Sequence, residues 1–523
     1  MFAVNGVNAE YFSNITEQSG IVFNHDNGNS NRFNYPEIVG SGVALMDYDN
    51  DGDLDIYLVQ SGHFNNNKLT DKLYANVLSK TKKLNFIETN FKFLADTYHY
   101  GIGIATADVN NDGWVDFYLT NLKQNQLFIN QSGKGFKQLN IDEKQHLWSS
   151  SASFCDINND GYKDLYVSNY VYWSEKNNPK CFNASSKQDY CGPGSFKGQK
   201  DSFYINEKGK KLIEKTDQYF PSMPELPGLN VICNDINHDG YADFIVANDG
   251  QANLVWLNQK GQTFVESGLL SGLAVNSQGV AEASMGMAMA DFDLDGDLDV
   301  FFTHLMNESN TLYKNNGNGY FSDVTNRSKL SAQSFAYTGW ATGFLNVNND
   351  IYPDLLVFNG AVADSSDKQT NMISLKQANQ LFINSKSAQF STVLAEQWLL
   401  KKANSRGAAF GDLDNDGDID IVINNNNESV DVLINNLNPS KWMGIKIKDD
   451  LYRNLKIELY NSKTKMQINN QTDGSYASAH DDRIVLNQSQ LEYFEGLRIF
   501  AGNKTLLDIP LMANNTYKTF KLK

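Results

Sequence analysis

The sequence predicts an all-β protein: a seven-bladed β-propeller followed by a small C-terminal β domain. Three observations carry that reading. An Asp-rich loop recurs seven times, at Asp47 (DYDNDGDLD), Asp108 (DVNNDGWVD), Asp156 (DINNDGYKD), Asp235 (DINHDGYAD), Asp291 (DFDLDGDLD), Asn346 (NVNNDIYPD) and Asp412 (DLDNDGDID). Each loop leads into a short apolar run rich in β-formers, such as LDIYLV, VDFYLT or IDIVIN, which reads as strand. A second turn signal follows each run, near Asn76, Asn130, Asn206, Asn258, Asn315, Asn384 and Asn435. Several of these carry the Asn-x-x-Gly spacing of a hairpin.

One repeat is therefore strand, Asp loop, strand, connection, strand, hairpin, strand. Four strands repeated seven times describe propeller blades. The residue five before each loop is mostly small (Gly42, Gly103, Ser151, Asn230, Gly286, Ala341, Gly407), which suits innermost strands crowding a central axis. The last repeat has too few residues before 440 to supply its own fourth strand, so residues 1–35 are expected to close the ring. The propeller is thus assigned to 1–440. Residues 441–523 alternate in β fashion without an Asp loop (WMGIKIK, NLKIELYN, GLRIFAG) and read as a separate domain.

Composition fits this frame. The chain has 523 residues, 41% hydrophobic and 12% aromatic, ample for a core. No run approaches the roughly 18 apolar residues of a membrane helix. A net charge of −17 argues against phosphate-backbone binding, so no nucleic-acid partner is expected. The N-terminus has neither a basic nor an apolar leader segment; an exported form would carry its signal ahead of this numbering.

The loops place oxygen donors at positions 1, 3, 5 and 9, with Gly at position 6 for the turn. Hard oxygen ligands clustered this way suit Ca²⁺. The candidate ligands are Asp47, Asp49, Asp51 and Asp55; Asp108, Asn110, Asp112 and Asp116; Asp156, Asn158, Asp160 and Asp164; Asp235, Asn237, Asp239 and Asp243; Asp291, Asp293, Asp295 and Asp299; and Asp412, Asp414, Asp416 and Asp420. An EF-hand needs a Glu at position 12, where this chain has Leu58, Leu119, Val167, Val246, Phe302, Val357 and Ile423, so EF-hands are excluded. The sixth loop replaces the first Asp with Asn346 and Gly with Ile351, and is expected to be empty or weak. Five to six Ca²⁺ are expected, and the six good loops supply 21 Asp side chains at these four positions, so the acidity is largely that of the loops.

These stretches resemble a known family. GSGVALMDYDNDGDLDIYLVQSG, SMGMAMADFDLDGDLDVFFTHL, RGAAFGDLDNDGDIDIVINN and the insertion ending YCGPGSFKGQKDSFYIN are similar to the integrin-alpha-like FG-GAP/VCBS propellers of the cartilage acidic protein group, which end in an ASPIC/UnbV-like domain. The resemblance is strong over 35–437 and weaker over the tail, where the family's Gly-rich entry motif is replaced by DDLYRNLKIELYN. It implies an exported calcium-binding protein with an adhesion or recognition role toward an extracellular protein or glycan, secreted, periplasmic or on the cell surface.

Cys181 and Cys191 lie in an Asn/Ser/Gly-rich insertion and fit a local disulfide. Cys155 and Cys233, at the ends of inner strands, read as buried core thiols. By strand alternation the Asp loops and Asn hairpins share one rim, while insertions in repeats 1, 3 and 6 fall on the opposite rim, a candidate binding face. Polar residues thirteen after each loop start (Gln60, Asn121, Asn169, Asn248, His304, Asn359, Asn425) map there too. They are either local strand ends or a ligand-binding ring. His63, His99, His146 and His304 map to the same rim, where imidazoles together hold Cu or Zn. Trp148, Trp173, Trp340 and Tyr170 map nearby, as core packing or as sugar platforms. No G-x-S-x-G, H-E-x-x-H or P-loop is present, so the enzyme alternative rests on a polar or His-containing pocket at the channel mouth.

Overall fold

A computed structural model describes residues 10–64, 69–97, 99–141, 147–183, 186–363, 375–386, 388–394, 396–449, 454–502 and 504–522. The chain is all-β, built from antiparallel four-stranded meanders in chain order, with three short helical turns or fewer between any two. The first strands of the seven meanders are Val43–Met46, Gly101–Ala107, Leu147–Cys155, Gly228–Asn234, Met287–Ala290, Gly339–Leu345 and Ser405–Gly411. Each touches the next, and the last touches the first, so these inner strands form a closed cycle. The second and third meanders also share a sheet through Leu147–Lys123 and Trp148–Leu122 pairing.

The repeat motif dictates the register. Every second strand begins at the ninth loop residue, which pairs with the end of the first strand, as in Ala107↔Asp116 and Gly411↔Asp420. Every third strand ends in the hairpin Asn, which pairs with the first residue of the fourth strand, as in Asn130↔Phe136 and Asn258↔Phe264. In the last meander that fourth strand is Phe12–Asn14, paired Phe12↔Asn435. The N-terminal segment thus completes the final sheet. Its Phe12 is fully buried against Trp398.

Residues beyond 440 form a three-stranded sheet (Met443–Asp449, Ile484–Leu486, Tyr517–Leu522) and a four-stranded one (Lys456–Tyr460, Lys465–Ile468, Gly496–Ala501, Lys504–Pro510) around their own core, with Ile445, Leu459, Leu486 and Leu497 buried. This unit also packs against the ring. It sits on the Asp-loop rim and sends residues 472–481 down the ring axis. Alternation could not reveal this, because the threading segment is irregular and pairs by single bridges, Ala44↔Ala479 and Met287↔Ser475.

The cysteines also require a correction. Cys181–Cys191 form a disulfide, but Cys155 and Cys233 are bridged as well, not free core thiols. Consecutive inner strands lie side by side, which brings the ends of Leu147–Cys155 and Gly228–Asn234 together across 78 residues of sequence.

Candidate cation loops and the ring axis

Each Asp loop is wound by its own backbone. Position 4 is left-handed in all seven, as at Asn111 (φ 59°), and Gly at position 6 has φ near 90°, as at Gly113 (86°). That winding aims successive N–H groups at the first carboxylate. Asp108 Oδ1 accepts from Asp112 N–H at 3.1 Å and Oδ2 from Gly113 N–H at 2.7 Å, and loops three, four, five and seven repeat the pattern.

The ninth residue is used differently. Asp55, Asp116, Asp164, Asp243, Asp299, Asp354 and Asp420 are at most 1% exposed. In each, Oδ2 accepts the N–H of loop position 2 and Oδ1 accepts the N–H of the hairpin Asn; for Asp116 these are Val109 at 2.9 Å and Asn130 at 2.7 Å. Burial pushes these carboxyls up, Asp116 to about 7, its amide donors opposing the shift. The hairpin Asn side chain completes the latch: Asn130 Nδ2 donates to Tyr48 O, Asn206 to Val109 O, Asn258 to Ile157 O and Asn76 to Leu413 O. Each of these carbonyls belongs to the preceding repeat, and the Asn76 bond joins the first repeat to the seventh. The sequence signal for this was the invariance of the Asn within the chain, read only as a turn.

Positions 1, 3 and 5 divide the loops into two kinds. In loops one, five and seven, all aspartate, Asp47/Asp49/Asp55, Asp291/Asp293/Asp295 and Asp412/Asp414/Asp420 each place carboxylate oxygens within 4.8 Å of one another. Buried oxygens of Asp47, Asp49, Asp293 and Asp414 have no hydrogen-bond donor. A desolvated carboxylate oxygen without a donor is costly, and a hard cation is the partner such an oxygen set fits. Burial raises Asp47 and Asp412 to about 6, and Asp291 and Asp414 to about 7. Lysines reach two of these loops: Lys80 lies 3.1 Å from Asp51, and Lys314 contacts Asp293 and Asp295. In loops two, three and four the third residue is Asn, and its Nδ2 donates to the fifth residue: Asn110 to Asp112, Asn158 to Asp160 and Asn237 to Asp239. The degenerate loop closes on itself, Asn346 Nδ2 donating to the Asp350 carbonyl.

Position 4 links loop to loop. Asn50 Nδ2 donates to Gly113 O, Asn111 to Gly161 O, Asn159 to Gly240 O and Asn415 to Gly52 O, while His238 Nε2 lies 2.7 Å from Asp297. The chain of contacts breaks at Leu294 and Asn349. There the C-terminal residues take over: Leu294 packs on their core, and Ser489 Oγ donates to Asn349 O.

The axis is filled. Segment 472–481 touches all seven inner strands. Leu45, Ile104 and Met287 N–H donate to Ala479, Ala477 and Ser475 carbonyls at 3.1, 3.1 and 2.9 Å. Asn230 Nδ2 donates to Ser475 O, Cys233 N–H and Ser153 Oγ to Asp473 Oδ2, and Phe410 N–H to His480 Nδ1. Tyr476, fully buried, meets Trp340 edge-on at 4.8 Å and donates its hydroxyl to Val39 O at 2.9 Å. The small residues of the inner strands accommodate this segment: a Cβ on Gly42 would lie 2.2 Å from Ala477 O, and one on Gly407 2.7 Å from Ser478 Oγ. Cavities of about 490 and 240 Å³ lie between the loop rim and the C-terminal domain.

The far rim is closed by aromatic and polar packing. Tyr35 and Tyr170 share a hydroxyl hydrogen bond that continues to Asp249, and Trp148, Trp340 and Tyr170 are buried. Arg406, fully buried, stacks on Trp340 at 4.1 Å and donates to the Ile38, Gly360 and Ala361 carbonyls. Trp173 is half-buried and bonded to Asn178. The seven polar positions are buried in or just past the second strands: Asn121, Asn169, Asn248, Asn359 and Asn425 donate to the carbonyls of Gln124, Lys200, Ala252, Ala378 and Ser429, and Gln60 to Asn24. His304 is buried with Nε2 3.4 Å from Glu282, His63 is exposed, His99 is half-buried, and His146 lies outside the described residues. Among the described residues, every group of three or more metal-ligating side chains is made of aspartates alone.

The chain carries FG-GAP-like repeats: the model of that repeat matches residues 108–167, 235–302 and 291–357. No curated protein matches the sequence. Among solved structures, the fold is similar to an Agrocybe aegerita lectin described as recognising non-reducing terminal N-acetylglucosamine (15% identity, 69% of this chain and 82% of that one, TM-score 0.41). It is also similar to BBS1N in complex with ARL6DN (9%, 80% and 94%, 0.43) and to YCF48 bound to D1 peptide (6%, 82% and 96%, 0.44).

Proposed function

We infer that the chain is a calcium-binding, seven-bladed β-propeller that acts as a recognition or adhesion protein. In this reading it works in an oxidising compartment outside the cytoplasm, with its protein or glycan ligand meeting the rim opposite the cation loops. The observation that carries the cation reading is the set of donorless buried carboxylate oxygens in the three all-aspartate loops. Asp47, Asp49 and Asp55, Asp291, Asp293 and Asp295, and Asp412, Asp414 and Asp420 would hold the ions, with loops two to four adding sites of lower charge. A bound divalent cation neutralises the mutual repulsion of these carboxylates and stiffens the loops. The two disulfides and the FG-GAP-like repeats support an exported binding protein. The C-terminal unit is taken as the ASPIC/UnbV-like domain.

The insertions of repeats 1, 3 and 6 would present the ligand face. The 172–200 insertion is anchored there by Tyr190, whose hydroxyl donates to Glu37, and by Phe196 stacked on Tyr35. Elemental analysis of purified protein, paired with melting curves before and after chelation, tests the cation reading. Three to six calcium ions and a large fall in melting temperature are expected; no calcium and no chelator effect would defeat it. Glycan-array and cell-surface binding with a variant shortened across the 172–200 insertion tests the ligand face, since unchanged binding would remove that rim from the proposal.

A further inference from the structure

The C-terminal domain grips the ring at the all-aspartate loops. Lys446 Nζ lies 3.6 Å from Asp47 Oδ2, Gln467 N–H donates to Asp291 Oδ2 at 2.9 Å, and the Tyr517 hydroxyl donates to Asp412 Oδ2 at 2.7 Å. In each case it takes the Oδ2 already bonded to the loop's own Gly N–H, as at Gly52, Gly296 and Gly417. It thereby spares the Oδ1 side, where Asp47 and the third-position Asp293 and Asp414 present donorless oxygens. Arg483, two residues past the axial segment, ties loops one and seven together: Nη2 donates to Asp412 O at 2.9 Å, and Nη1 to Gly52 O at 3.2 Å and Asn415 Oδ1 at 3.0 Å. Its guanidinium lies 4.1 Å over Tyr517 and pairs with Asp481. Three attachments of the domain thus fall on the leading aspartates of the cation loops, beside others at loops three and six (Asn454 Nδ2 to Asp156 O, Ser489 Oγ to Asn349 O), and the segment hanging from them occupies the axis.

We propose that the C-terminal domain is a cation-dependent stopper: ions in loops one, five and seven hold it seated, and their loss withdraws residues 472–481 from the ring. The inference rests on the calcium reading above. Without a cation, three carboxylates crowded in each loop repel, and the loop geometry that presents Asp47, Asp291 and Asp412 to Lys446, Gln467 and Tyr517 relaxes. Within the ring the segment is held by scattered hydrogen bonds, one to three on each of six inner strands, and by the rings of Tyr476 and His480, with no continuous ladder, so the rim contacts set its seat. By linkage, seating the stopper also tightens cation binding in those three loops and not in loop two, from which the domain accepts no hydrogen bond among the described residues.

Hydrogen exchange by mass spectrometry on the full-length protein reads this out directly. The reporters are the Leu45, Ile104, Met287 and Ala479 amides, which are bonded across the ring–segment boundary. In saturating calcium these are expected to exchange as slowly as the inner-strand ladders. In chelator they should exchange about tenfold faster or more while the second and third strands stay protected. At limiting calcium Asp414→Asn and Asp293→Asn should each reproduce part of that change, and Asp112→Asn should not. Tyr517→Phe, which removes only the hydroxyl bonded to Asp412, gives a milder version if the aspartate variants fold poorly. Bound calcium with unchanged reporter exchange after its removal would overturn the stopper and leave the calcium reading intact. Loss of all protection in one step, or equal effects of Asp112→Asn and Asp414→Asn, would overturn it too. Absence of bound calcium by elemental analysis would instead defeat the underlying reading.

Discussion

Asp354 Oδ1 accepts the backbone N–H of Asn384 at 2.8 Å, in the one loop whose leading aspartate is replaced, by Asn346. Its Oδ2 accepts Val347 N–H at 3.0 Å, and burial pushes the carboxyl up to about 8. The ninth aspartate therefore ties loop to hairpin whether or not the loop has its leading aspartate.

Asp354→Ala isolates this role. Two buried amides lose their acceptor, so the variant is expected to lose about 2–4 kcal/mol. The loss should be the same in calcium and in chelator, measured by denaturant unfolding. A variant as stable as the parent would show that the carboxylate is not a structural tie.

Stability without calcium should depend on pH in a defined sense. Burial raises Asp47 and Asp412 to about 6, and Asp116 and Asp291 to about 7, above the unfolded carboxylate value of about 3.9. Folding therefore favours the protonated form. The contribution is full below about pH 4 and is lost as pH rises through about 6–7. Melting temperature in chelator should fall across that window. Saturating calcium should flatten or reverse the slope, because protons then compete with the ion; a flat apo profile would contradict the burial described.

The two disulfides should differ in weight. Cys155–Cys233 closes 78 residues and joins adjacent inner strands, whereas Cys181–Cys191 closes 10. Loop-closure entropy gives about 4.5 kcal/mol for the first and about 2.7 kcal/mol for the second. Paired Cys→Ala variants compared by chemical denaturation should show that order, and thiol titration of the unfolded, unreduced parent should find no free cysteine.

Gly103→Ala tests how closely the axis is filled. The new methyl would lie 2.9 Å from Ala477 Cβ and Ala477 O, and equally close to Thr120 Oγ1. Overpacking of this kind costs about 1–3 kcal/mol. Deleting the Ala477 side chain with Ala477→Gly should restore part of the loss in the double variant, and strict additivity would place the clash elsewhere.

The strand–loop–strand repeat was legible because position 9, the hairpin Asn and the apolar runs recur in one order, and each has a local job that leaves a local trace. The N-terminal strand followed from counting strands in the last repeat. Two features were not legible. Cys155 and Cys233 sit at equivalent ends of neighbouring inner strands, a correspondence visible only once the repeats are superposed, since 78 residues separate them. The axial segment, Thr472 to Asp481, is polar and lacks alternation because it contacts seven different strands and forms no ladder of its own. Its only mark on the ring is the smallness of Gly42, Gly103, Gly286 and Gly407, which fits any crowded axis equally well.

The pairing of Phe12–Asn14 with Leu433–Asn435 has a consequence for biosynthesis. As the chain emerges, Phe12–Asn14 has no partner until more than four hundred further residues have been made, and the last sheet stays one strand short with Asp431–Asn435 as a bare edge until the two meet. Completion of the ring is therefore a late, long-range event, and an incomplete ring offers a vacant strand position to another copy of the same segment. A nicked molecule that has lost residues 12–14 would be prone to exchange strands with its neighbours, and the purified protein should be guarded against cleavage there.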